Sequence, residues 1–248
     1  MVGTVAGFLL LPLLLLGGYS LLASWVFPSL RQTIAIVAPL ILGGGSVLAA
    51  AALVMSVNGD ARTIVRIGPV WSMLVTCVVS GTAAFVIFHL ERRVSRFLIT
   101  RNARRTPTDA LPPSLRTALP GAEESIGGVA ATARRPVLFG ALTLWTAVGE
   151  EILYRGVVLL VCVPLGLDPW LALVLQASFY AGNHLAFGPS ALIGKLLLGL
   201  VLGGATLLSG SVLPGMVVHV GYQVLVWRQF RWARTTGVID RERARTSP

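Results

Sequence analysis

Long apolar stretches, separated by charged residues or by glycine and proline, dominate the hydrophobic pattern of the chain. A helix that crosses a bilayer needs about 20 mostly apolar residues, and a search on that criterion predicts seven spans. They lie near residues 3–27, 33–56, 69–90, 136–162, 169–187, 190–209 and 211–227. Because only helices and closed barrels satisfy the backbone in lipid, the pattern predicts an all-α fold, a polytopic transmembrane bundle of about seven helices.

The composition supports a chain solvated by lipid. Hydrophobic residues make up 55% of the chain and charged residues only 12%, and the mean hydropathy is +0.80. A soluble domain carries about a quarter charged residues, so a water-soluble enzyme is excluded. The net charge of +10 comes mainly from two basic blocks between apolar stretches, and we interpret the loop block as an orientation signal that attracts anionic headgroups rather than as a nucleic-acid site.

The two basic blocks also predict the orientation. One is the long connection 91–135 and the other is the C-terminal tail, and by the positive-inside rule both are cytoplasmic. Four spans separate them, and an even number of crossings returns the chain to the same side. This divides the chain into three N-terminal spans at 1–90, a basic loop at 91–135, a four-span core at 136–227 and a basic tail at 228–248. We expect the loop to attract anionic lipids, and Lys195 to reach the interface from the start of the sixth span.

Ionisable residues concentrate in the C-terminal half, where an ionised side chain at the bilayer centre costs about 3 kcal/mol. The fourth span carries Glu150, Glu151 and Arg155 on one arc of a helix. Glu151 and Arg155 are four residues apart with the acid first, the favourable order for an ion pair. Glu150 is left without that partner and is a candidate general base.

Two other spans carry polar residues along one face. They are Gln176, Tyr180, Asn183 and His184 in the fifth span, and Gly215, His219, Tyr222 and Gln223 in the seventh. Lipid would penalise each polar face separately, so we expect them to meet the acids of the fourth span around a small wet cavity. Intramembrane ionisable residues are functional by default, but the pattern alone does not separate hydrolysis from proton or ion transport.

The acidic pair resembles a motif of the CPBP family of intramembrane proteases, which includes type II CAAX prenyl endopeptidases and bacteriocin-processing or immunity proteins. The family's first motif, EExxxR, is matched in full by Glu150, Glu151 and Arg155, and Gly156 follows as is common in its members. The resemblance covers residues 136 to 227, the last four predicted spans.

Two further motifs are matched with one change each. The FxxxH motif corresponds to Tyr180 and His184, with tyrosine in place of the usual phenylalanine. The HxxxN or HxxxD motif corresponds to His219 and Gln223, with glutamine in place of the shorter side chain. Both changes favour, as an alternative, a catalytically silent relative.

The resemblance implies an intramembrane endopeptidase that acts on a membrane-associated protein or peptide in the plasma membrane of a bacterium. Glu150 would activate the attacking water, His184 and His219 would assist, and Gln223 would stabilise the oxyanion. Glu150, His184 and His219 also make up the three ligands of a catalytic zinc site, so a divalent metal and a metal-free mechanism both stay open. We favour the metal-free mechanism. The alternatives are a silent scaffold or immunity protein and a proton-coupled transporter.

Overall fold

The computed structural model describes residues 1–25, 34–64, 66–103, 135–184 and 189–235. Within these ranges the chain is helical and contains no strand, so the all-α prediction is confirmed. The main helices are α1 (Val2–Trp25), α2 (Ile34–Ser56), α3 (Val70–Ala103), α4 (Pro136–Glu150), α5 (Pro169–Gly182), α6 (Pro189–Ser209) and α7 (Leu213–Thr235). A π-helical segment, Glu151–Cys162, continues α4, and a short 3₁₀ turn, Ala61–Thr63, follows α2.

In the part of the chain that the structure describes, three helices are long and apolar enough to cross a membrane. They contain the segments Val37–Ser56, Val70–Val94 and Ala191–Ser209. The outer face of α3 is strongly apolar, since Trp71 is 79% exposed and Val78 is 69% exposed. Exposed apolar surface of this extent suits lipid rather than water. Composition and helices together indicate an integral membrane protein, while the number of seven crossings stays a prediction.

Two predicted loop regions begin as helix. Residues 91–103 belong to α3 and residues 228–235 belong to α7, although we predicted that the basic loop and the basic tail start there. Arginine and glutamate are good helix formers, so the charges that mark the end of an apolar span do not end the helix. The rest of both basic blocks, and the end of the predicted fifth span at 185–187, lie outside the described residues.

The core of the bundle surrounds the π-helical segment, whose residues from Leu153 to Cys162 are almost all buried. α2 packs against α1 and α4, and α6 packs against α3 and α5. The contact between α2 and α4 is close because glycines meet in it: a methyl group on Gly149 would lie 2.5 Å from the carbonyl oxygen of Gly43. Thr146 Oγ1 also donates to the carbonyl of Pro39 across this contact, at 3.1 Å. The contact fixes the position of α4 directly before Glu150.

Candidate active site

The acidic pair lies where α4 becomes a π-helix. Glu150 is the last residue of α4 and Glu151 is the first of the π-helical segment. The wider π geometry is rare and is frequently found at functional sites. Both side chains are inside the bundle, with 2% of Glu150 and none of Glu151 exposed. A buried carboxylate requires polar partners, and two other helices supply them.

The ion pair predicted from the sequence is present. Arg155 Nη1 lies 3.2 Å from Glu151 Oε1, and neither side chain is exposed. The guanidinium carbon also lies 4.4 Å from the centre of the Tyr180 ring, which is a cation–π contact. Its nitrogens form no hydrogen bond with any described residue, so the pair is held by charge and by the aromatic ring.

His219, on α7, contacts side chains of the π-helical segment and of α5. Its Nδ1 atom lies 2.9 Å from Glu151 Oε1, and because a carboxylate only accepts, Nδ1 carries the hydrogen. Its Nε2 atom lies 3.2 Å from the hydroxyl of Tyr180 and 3.8 Å from Oε2 of Glu150. Glu151 therefore orients the ring, whereas Glu150 faces the other ring nitrogen.

The partner of Glu150 is a residue that our motif comparison left out. Asn183 Nδ2 donates to Glu150 Oε1 at 3.1 Å and to the hydroxyl of Tyr154 at 2.9 Å. Asn183 was visible on the polar face of the fifth span, but no motif selects it. Tyr154 was predicted to share the polar arc of Glu150 and Arg155, but no motif selects it either. Together they hold the carboxylate in one position without adding a formal charge.

His184 and Gln223, the other two predicted site residues, differ in their contacts. His184 Nδ1 lies 3.0 Å from the carbonyl of Tyr180, so it donates and Nε2 keeps the lone pair in the neutral ring. The His184 ring also meets the Tyr180 ring edge-on, with centroids 5.2 Å apart. Gln223 is half-buried on α7 and forms no hydrogen bond to any side chain or backbone group that the structure describes.

The arrangement does not fit the metal site that we considered. Among the described residues, no group of three histidine, cysteine or acidic side chains is arranged to hold a metal ion. Both ring nitrogens of His219 are engaged, one by Glu151 and one by Tyr180. The three ligands Glu150, His184 and His219 do not converge on one point, and we derive no step through a metal.

A second buried polar group lies beside the acidic pair. Lys195 is only 6% exposed, and its Nζ atom lies 4.0 Å from the centre of the Tyr222 ring. The hydroxyl of Tyr222 donates to Glu91 Oε2 at 2.7 Å. We predicted that Lys195 extends outward to the membrane interface; the structure instead buries its side chain in the bundle against the Tyr222 ring, and its depth in the membrane stays a prediction.

The fold and the site define an all-helical membrane protein with a buried cluster of acids, histidines and one arginine. Residues 132–225 match the family of type II CAAX prenyl endopeptidase Rce1-like proteins. The matched range includes all three motifs, and the match confirms the resemblance of this part of the chain to CPBP family proteases. No curated protein and no solved structure matched the chain.

Proposed function

We propose that this cluster is the active site of an intramembrane endopeptidase that hydrolyses a peptide bond in a membrane-associated protein or peptide. One observation carries the proposal. Glu150 is buried, is held by Asn183, and lies 3.8 Å from Nε2 of a histidine whose other nitrogen is bonded to Glu151. A base, a histidine and a group that orients the histidine are the parts that hydrolysis by activated water requires.

In the proposed reaction, Glu150 removes a proton from a water molecule, and the water oxygen attacks the carbonyl carbon of the substrate. The carbon–nitrogen bond of the tetrahedral intermediate then breaks, and the proton is delivered to the leaving amine. His219, oriented by Glu151, stabilises the positions of the water and the proton, and His184 assists from α5. The negative charge that develops on the carbonyl oxygen needs a hydrogen-bond donor. The resemblance assigns that role to Gln223, one turn of α7 beyond His219.

The proposal extends to the placement in the membrane. The four-helix core at 136–227 would hold the site, after three N-terminal spans, in the plasma membrane of a bacterium. The basic segments 91–135 and 228–248 would lie on the cytoplasmic side and contact anionic lipids. Cysteine labelling from either side of sealed vesicles would test this orientation.

The test of the activity is a comparison of cleavage by three forms of the purified protein. A library of membrane-tethered peptides is incubated with the wild type, with Glu150→Gln and with Asp168→Asn. Asp168 caps α5 through a 2.8 Å bond from the backbone of Leu171, and asparagine keeps that cap. We expect Asp168→Asn to cleave like the wild type and Glu150→Gln to lose a factor of about 10²–10⁴ in rate.

Two other results would contradict the proposal. Cleavage that is equal in the wild type and in Glu150→Gln would remove the glutamate from the mechanism. Absence of cleavage by a folded wild type would favour the silent scaffold or immunity protein. A proton-coupled transporter would instead show flux in proteoliposomes that depends on Glu150.

A further inference from the structure

The Lys195 side chain is buried, and its ammonium has no hydrogen-bond acceptor among the residues that the structure describes. The side chain is 6% exposed. In the part of the chain that the structure describes, its three N–H groups form no hydrogen bond, and no carboxylate oxygen lies within 4.0 Å of Nζ. Buried charges are usually paired and hydrogen-bonded, so an ammonium without an acceptor among the described residues has donors that a bound ligand can use.

Lys195 lies about one helical turn from residues of the proposed active site. Tyr222, whose ring it faces, follows His219 by three residues and therefore shares a face of α7 with it. On α6, Gly199 follows Lys195 by one turn, and a methyl group there would lie 3.3 Å from the Tyr180 ring. Through Tyr180, this turn of α6 is connected to His219, whose Nε2 atom lies 3.2 Å from the Tyr180 hydroxyl and 3.8 Å from Oε2 of Glu150.

Two residues hold the ammonium in this position without consuming its donors. The Tyr222 ring supports it at 4.0 Å through a cation–π contact. The Tyr222 hydroxyl is fixed by Glu91 at 2.7 Å, and the Glu91 carboxylate lies against the backbone of α6 at Gly194. The opposite charge of Glu91 therefore supports Lys195 from α3, while the N–H groups stay available to a ligand.

We propose that Lys195 is a catalytic residue that donates a hydrogen bond to the carbonyl oxygen of the substrate as this oxygen becomes negative. The proposal rests on the proposed hydrolysis. When Glu150 takes the proton of the water, its negative charge disappears and an equal charge develops on the carbonyl oxygen. The ammonium therefore exchanges one nearby anion for another, and the charge of the site is unchanged. Lys195 supplies a donor for this oxygen, whereas Gln223 forms no hydrogen bond to any described residue of the cluster.

The test combines kinetics with the binding of a tetrahedral mimic. The variants are Lys195→Met, which keeps length and removes the charge, Lys195→Gln, which keeps a neutral donor, and Lys195→Arg, which keeps a cation. Each is checked for folding by thermal unfolding in detergent. The probes are a membrane-tethered peptide that the wild type cleaves and the same peptide with a phosphinate in place of the scissile amide.

We expect Lys195→Met to lower kcat by about 10²–10³ with little change in KM, since an oxyanion donor acts mainly in the transition state. Lys195→Gln should fall between Lys195→Met and the wild type, and Lys195→Arg should recover part of the lost rate. The phosphinate peptide should bind the Met variant more weakly by a similar factor, while the amide peptide should bind equally to both.

The outcomes separate the two proposals. If Glu150→Gln is inactive while Lys195→Met keeps the wild-type kcat, the hydrolysis stands and the role of Lys195 is overturned. A KM effect alone, or equal loss of amide and phosphinate binding, would also overturn it and leave a structural role. If no form cleaves any peptide, the proposed hydrolysis fails. The role of Lys195, which rests on that hydrolysis, then fails with it.

Discussion

His219 turns one ring nitrogen to Glu151, 2.9 Å away, and the other towards Glu150, 3.8 Å away. The two neighbouring acids therefore have different tasks. The second acid, already paired with Arg155, fixes the orientation and tautomer of the imidazole. In the proposed mechanism, the first acid takes a proton from water. This division resembles in its logic the way in which a buried carboxylate orients the histidine of a hydrolase triad.

The division predicts the effect of Glu151→Gln. An amide presents one donor and one acceptor where the carboxylate presents only acceptors, so the histidine loses the contact that fixes its tautomer. We expect kcat to fall by about 10²–10⁴, with KM nearly unchanged. Steady-state cleavage of a tethered peptide, with the folded fraction measured in parallel, tests this. A loss that is confined to KM, or full activity, would show that Glu151 does not orient His219.

The hydroxyl of Tyr180 is the main departure from the family motif that touches the cluster. It lies 3.2 Å from Nε2 of His219, and the ring lies under Arg155. Tyr180→Phe removes the hydroxyl and keeps the ring, as in the usual motif. We expect kcat to change by less than about tenfold and the free energy of unfolding to fall by about 0.5–1.5 kcal/mol, the net value of one hydrogen bond.

Tyr180→Leu is the matched comparison, because it also removes the ring that supports Arg155. It should unfold more readily than Tyr180→Phe in the same detergent. If Tyr180→Phe alone reduced kcat a hundredfold, the hydroxyl would take part in the chemistry, and the phenylalanine of the family motif would not be its equivalent.

Gly215 sets the distance between α7 and the acidic pair. A methyl group added there would lie 2.7 Å from Glu151 Oε2 and 3.6 Å from Thr206 Oγ1. Gly215→Ala should therefore push the carboxylate away from His219, and a displacement of about 1 Å in a catalytic group can lower the rate about 10²-fold. We expect a large loss of kcat with a smaller loss of stability.

Gly221, on the same helix, provides the control. A methyl group there meets no described heavy atom within 4 Å. Gly221→Ala should keep the wild-type kcat and unfold at the same temperature or slightly higher, since alanine favours helix. Equal kcat in the two alanine variants would mean that Glu151 does not need the space that Gly215 leaves.

Much of this arrangement could be predicted from the sequence. Placing a polar residue in lipid costs free energy, so each polar residue in a span points to a structural or functional role. The faces that carry Glu150, Tyr180 and His219 are visible from helical spacing, and lipid forces such faces together. The spacing does not say which acid contacts the histidine, since that depends on the rotation of α7 relative to α4.

Other parts of the site depend on contacts between distant parts of the chain. The burial of the Lys195 side chain could not be predicted from the sequence. The ring that it contacts, Tyr222, and the carboxylate that holds this ring, Glu91, lie on helices that no short motif connects to α6. Asn183 carries no motif signature although it holds Glu150. The length of α3 was underestimated because charge marks the edge of the apolar span and not the end of the helix.

The contact between α2 and α4 should control the stability of the bundle and, through it, the position of Glu150. A methyl group on Gly149 would lie 2.5 Å from the carbonyl oxygen and 3.0 Å from the Cα atom of Gly43, and backbone atoms of a packed helix cannot turn aside. We expect Gly149→Ala to lower the free energy of unfolding by about 1–3 kcal/mol, as overpacked contacts do, and to lower kcat as α4 shifts.

On the same helix, a methyl group on Gly140 meets no described heavy atom within 4 Å, so Gly140→Ala should leave both quantities near those of the wild type. Unfolding in detergent and peptide cleavage, measured on both variants, decide the matter: equal stability would show that α2 and α4 have room to separate, and that the glycine pair does not fix the acidic motif.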